Sequence, residues 1–187
     1  PVLTWYLVLD EPDPTIPGIE LRVWTDPLCL MEAKPPDPPF DPGSRHFDPK
    51  RLPDPALALA LAQTDCMVGT KVDRMRSEIV SRGERMEGSL LARFGGPGKK
   101  LLHIVGKSAG ETYDLLPPGG RTREAYIEAE QRRFLHGWQA PLIDALGDVG
   151  TRQSLSVLRP ISSFDAGRPN QARAAEAVRR IESRHPQ

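Results

Sequence analysis

The chain opens on two apolar-rich stretches that predict strands, the second of them alternating with a period of two. Val2–Leu9 (VLTWYLVL) is rich in β-branched and aromatic residues and predicts a strand. Gly18–Lys34 (GIELRVWTDPLCLMEAK) predicts two strands folded back around Thr25-Asp26-Pro27. In that hairpin Ile19, Leu21 and Val23 share a face with Cys29, Met31 and Ala33, the predicted core face. Glu20, Arg22, Trp24, Leu28, Leu30, Glu32 and Lys34 share the other. Between the two elements, Asp10–Pro17 carries three prolines, which forbid a helix.

Pro35–Pro55 breaks the alternation with repeated Asp-Pro dipeptides and predicts a long loop, used for binding or mobile, pinned by Phe40 and Phe47. Asp54-Pro55 then predicts a helix start, Asp as N-cap and Pro first in the helix. The ALALALA that follows has the period of a strand, but its cap and alanine content favour helix. Val72, Met75, Ile79, Met86, Leu90 and Phe94 recur every three to four residues and predict a second helix to Phe94, ended by Gly95-Gly96. Lys100–Val105 (KLLHIV) predicts a strand paired with Thr112–Leu116, with Gly106-Lys107-Ser108 in a turn between and His103 packed in the strand. A third helix is expected over Arg123–Leu146, kinked or split at Pro141, and a short edge strand over Ser154–Leu158. Asn170 is the expected cap of a last helix, Gln171–Ser183, whose basic face carries Arg173, Arg180 and Arg184. The sum is one α+β domain over residues 1–187. Its sheet is mainly antiparallel, with three amino-terminal strands and a further one, and its helices pack on one face.

Composition changes this picture little. A chain of 187 residues with 39% hydrophobic and 27% charged residues fits a soluble globular domain. No apolar run suits a membrane span and no signal peptide is visible. With only two cysteines, Cys29 and Cys66, a reducing, cytoplasmic setting is expected. Zero net charge argues against a broad nucleic-acid surface. It hides a gradient, because residues 1–66 hold 11 acidic and 5 basic side chains. The four histidines and two cysteines show no zinc-ligand spacing.

The chemistry concentrates at the end of the third predicted strand. Hairpin pairing sets Glu20 opposite Glu32 at about 5 Å, a repulsion that needs a positive neighbour. A divalent cation is one such neighbour. Arg22 and Lys34, each diagonal to one of the two glutamates, are the other, and then the face is merely solvated, each pair contributing under about 1 kcal/mol. Asp26, at the turn, lies about 20 Å along the strand from Glu32 and drops out as a ligand.

Three strands, the third ending in Glu32-Ala33-Lys34, followed by a helix and a further strand, resemble the core of the PD-(D/E)xK nucleases. Cys29–Lys34 looks like the third strand of the restriction-endonuclease-fold toxin domains of bacterial secretion systems. The resemblance implies Mg²⁺ held by Glu20 and Glu32, Lys34 activating the attacking water, and DNA or RNA as substrate. The chain departs from the family at Arg22, near where an aspartate is usual, and in beginning directly with a strand. The competing expectation is a non-catalytic interaction module, an adaptor, inhibitor or accessory subunit. It would grip a protein partner through the proline-rich loop and the Trp5/Trp24 sheet face.

Overall fold

The computed structural model describes residues 48–62, 70–96, 99–116, 119–163 and 170–186. The expected strands at 2–9 and 18–34 and most of the proline-rich loop lie outside these residues. Among the described residues there are seven α-helices and no strand, so the expected antiparallel-sheet α+β architecture is corrected to a helical one. The helices are α1 (Asp54–Ala62), α2 (Thr70–Arg82), α3 (Glu87–Phe94), α4 (Lys99–Asp114), α5 (Arg123–Val149), α6 (Leu155–Ser162) and α7 (Gln171–Arg184).

α1 lies at the centre. Its seven residues from Ala56 to Ala62 are each at most 3% exposed, so it is apolar on every side, as a helix enclosed by others must be. α2, α3 and α5 surround it. The apolar positions expected to form one helix from Val72 to Phe94 are divided between α2 and α3 by a 3-10 turn, Gly83–Met86. Gly83 adopts φ +65°, a left-handed conformation that suits glycine and interrupts the helix. Met75, Ile79, Met86 and Leu90 are nevertheless all fully buried.

The other predicted strands fail for a common reason. KLLHIV and Thr112–Asp114 belong to α4, where Val105, Gly106, Ala109 and Gly110 form a buried stripe at i, i+1, i+4, i+5 against α5. Short β-branched runs fit either period, and here packing on a neighbouring helix decides. His103 is exposed on α4 rather than packed in a strand, and Gly106-Lys107-Ser108 is helix interior rather than a turn. The expected edge strand Ser154–Leu158 is the 3-10 turn Arg152–Ser154 running into α6, with Leu155 and Leu158 buried.

α5 runs unbroken from Arg123 to Val149 through Pro141, the residue expected to break or kink it. Thr122 caps it, its Oγ1 accepting from the Ala125 N–H at 3.2 Å. α7 begins after Asn170 as expected, but Asn170 sits at φ 71° and makes no side-chain cap. Its amide donates instead to the His136 carbonyl at 2.9 Å. α7 packs tightly on α5: a Cβ added at Gly147 would lie 2.9 Å from the Ala177 Cβ.

Candidate binding groove

Three polar arrangements tie the helices together before any surface is left for a ligand. Arg82, at the end of α2, is 6% exposed and spends its guanidinium on the segment ahead of α1. It donates to Asp54 at 2.7 Å, to Glu78 at 2.8 Å, and to the carbonyls of Leu52, Pro49 and Lys50. Burial lowers its pKa, but these carboxylates more than offset that and hold it above the ordinary arginine value. Asp148 of α5 receives Arg76 of α2 at 2.7 Å and Arg180 of α7 on its other oxygen.

The third is Glu87, at the first position of α3 and only 6% exposed. It accepts from the Thr151 N–H and Oγ1, both at 2.8 Å, and from the Ser154 N–H at 3.1 Å and its hydroxyl. Its carboxylate thus caps the 3-10 turn that opens α6, from 64 residues away in sequence. Burial alone would raise its pKa, yet the four donors prevail and keep it below the usual glutamate value. A carboxylate so fully engaged is structural.

Among the described residues a groove of about 780 Å³ lies between α6 and the end of α7. Arg152, Leu155, Ser156, Arg159 and Pro160 line it, positions i, i+3, i+4, i+7 and i+8 of one helical stripe. Glu182 of α7 and His185, just past its end, supply the opposite wall. Arg159 pairs with Glu182 at 2.8 Å, both about half exposed. Arg152 donates to the His185 carbonyl at 3.1 Å and the Pro186 carbonyl at 2.7 Å. The His185 Nε2 makes no hydrogen bond and stands 3.8 Å from Glu84 Oε1. Pro160 cannot donate to the Ser156 carbonyl four residues back, so the regular helical bond is missing on this stripe. Two guanidiniums beside an apolar strip can hold oxyanions alongside aliphatic surface, whereas the His185 Nε2 is buried against Glu84 and does not face the groove.

The expected metal ligands Glu20 and Glu32 and the expected catalytic pair Glu32 and Lys34 lie outside the described residues. Among the described residues no group of three or more His, Cys, Asp or Glu is placed to hold a metal ion. No described helix is long and apolar enough to cross a membrane. The groove residues stand at helical spacing in the sequence, but a strand over 154–158 puts Ser156 and Leu158 on one face and splits the stripe.

Comparisons with family models, curated proteins and solved structures found no match for this chain. The nuclease resemblance is therefore carried by Glu32-Ala33-Lys34 and its predicted strands alone.

Proposed function

We propose that the helical body is a protein-interaction module that holds a linear peptide segment in the groove between α6 and α7. The observation that carries this reading is the groove itself, whose volume is that of a ligand site and whose arginines stand two helical turns apart on one stripe. The guanidiniums already grip the oxygens a peptide offers, a carboxylate at Arg159 and backbone carbonyls at Arg152. This keeps the interaction-module expectation and moves its surface away from a sheet face. A cytoplasmic setting belongs to the same reading, supported by the scarcity of cysteine.

A photo-crosslinking residue placed at Ser156 of the full chain, with a control at Lys107 on α4, tests it against a random peptide library. Adducts at position 156 that disappear in Arg159→Glu, with none at 107, are the expected result. Equal labelling at both positions, or none, would overturn it.

The Mg²⁺-dependent nuclease reading of Glu20, Glu32 and Lys34 stands as a proposal from sequence, with DNA or RNA as its substrate. A plasmid-nicking assay with Mg²⁺ or Mn²⁺ on the wild type, Glu32→Ala and Lys34→Ala decides it, and absence of cleavage at every metal concentration removes it.

A further inference from the structure

We infer that the occupant of the α6–α7 groove is the acidic, proline-punctuated stretch Asp10–Pro14 of the same chain, in cis. The inference rests on the peptide-binding reading of that groove.

Charge points to it first. Residues 1–47 carry eight acidic and three basic side chains, whereas residues 48–187 carry 17 acidic and 22 basic ones. The acidic part of the chain thus has a basic part to meet. Among the described lining residues the groove has Arg152 and Arg159 against Glu182.

Spacing points to it next. Arg152 and Arg159 are seven residues apart, about 11 Å along a stretch of 3-10 and α geometry. Asp10-Glu11-Pro12-Asp13-Pro14 places two aspartates three residues apart in a sequence whose prolines favour an extended backbone. Three residues of polyproline II span about 9 Å and return to the same face, within reach of two flexible arginines. Val8, Leu9 and Ile16 flank the acids and offer aliphatic surface to Leu155 and Pro160.

Exchange energetics allow the swap. The Arg159–Glu182 pair is exposed and holds little free energy, so an incoming aspartate takes the place of Glu182 at small cost. A polyphosphate suits the site less well, because Glu182 and the apolar strip face it. Tethering adds to this. The 34 residues between Asp13 and Asp48 give a fully extended reach of over 100 Å and a high effective concentration at the groove.

The test uses a fluorescein-labelled peptide of residues 8–16, VLDEPDPTI, titrated by anisotropy into the full chain. The receptor carries Asp10→Asn and Asp13→Asn, so its own segment does not compete. Saturable binding is expected there, with wild-type protein binding the same peptide about tenfold more weakly because its tethered segment occupies the groove. Arg152→Glu with Arg159→Glu abolishes binding, and a peptide with lysine at both aspartate positions restores it. If the double variant fails to fold by circular dichroism, Arg159→Glu alone carries the test, since that side chain is solvent-exposed. Glu182→Gln tightens binding about threefold by removing the internal competitor. A phosphoserine version of the peptide separates phosphate from carboxylate recognition. Sedimentation checks the source: a monomer is expected, and a concentration-dependent dimer lost in the Asp10→Asn, Asp13→Asn variant overturns the cis assignment.

Peptide binding untouched by charge reversal overturns the inference, as does a single-stranded oligonucleotide that needs Arg159 when the peptide does not bind. If library peptides crosslink at Ser156 but VLDEPDPTI neither binds nor competes, only this inference falls. If no peptide of any composition engages the groove, the interaction-module reading falls with it.

Discussion

The two halves of α5 share one helix and little else. From Arg123 to Gly137 no residue is buried, and α4, the principal partner of this half, packs extensively on no other helix. From Trp138 to Val149 seven residues are buried, against α1, α2, α3 and α7. The first half with α4 is a two-helix seam in which Ile127 and the Tyr113–Tyr126 pair sit among small residues and long polar side chains: a Cβ added at Gly106 or Gly110 would meet the ends of Gln131 or Arg123. The second half is a core, where a Cβ added at Gly147 would meet the backbone and Cβ of Ala177. Helix continuity therefore says nothing about how much stability a segment holds, because most helical stability comes from the face that is packed.

Paired truncations separate the two halves most strongly. Leu146→Ala, at a position 0% exposed, is expected to cost about 3–5 kcal/mol in urea unfolding. Ile127→Ala, half-buried on the α4 seam, is expected to cost about 1 kcal/mol. Equal losses would show that the two halves are one core.

Glu87→Ala is expected to cost about 2–3 kcal/mol at neutral pH, since it strands two backbone N–H groups and two hydroxyls at the start of α6. The pH dependence carries a definite sign. The folded pKa of Glu87 is depressed, so its contribution is present above the ordinary glutamate range and is lost as pH falls through the folded value. Wild type should therefore lose stability in acid more steeply than Glu87→Ala, read as thermal midpoints between pH 6 and pH 3.

Glycine substitutions probe the seams directly. Gly147→Ala should destabilise by about 1–3 kcal/mol, because α7 must shift. Gly110→Ala should be neutral or stabilising by up to about 1 kcal/mol, since the exposed Arg123 can turn aside and alanine favours the helix. The reverse order would refute the assignment of arm and core.

The smallest effect is local opening of the helix. Amides of 123–137 should exchange through local openings of lower free energy than those of 138–149, measured by native-state hydrogen exchange. A common exchange free energy along α5 would erase the distinction.

Particular residues show what is legible in the sequence. Asp54-Pro55 lies at the start of α1, with Asp54 already inside the helix rather than capping it, Arg123 opens α5 as expected, and the carboxyl-terminal helix lies within a residue of its expected bounds, because helix-start signals and periodicity are local properties. KLLHIV and Ser154–Leu158 mislead because a five- or six-residue apolar run is compatible with both periods. Of the candidate sites, Glu20, Glu32 and Lys34 stand outside the described residues. The groove stripe Arg152–Pro160 is hidden as long as part of it is assigned to a strand.

The sequence alone determined the start of α1, the bounds of α5 and α7 to within about a turn, and the apolar positions of α2 and α3, since those depend on neighbours within a turn or two. Only the tertiary structure decided that α1 is enclosed, that Glu87 caps a turn 64 residues away, that Arg82 holds the segment before α1, and that Arg152 and Arg159 share a groove with Glu182. Those are contacts between distant segments, and their energies depend on which helices are brought together rather than on any local pattern.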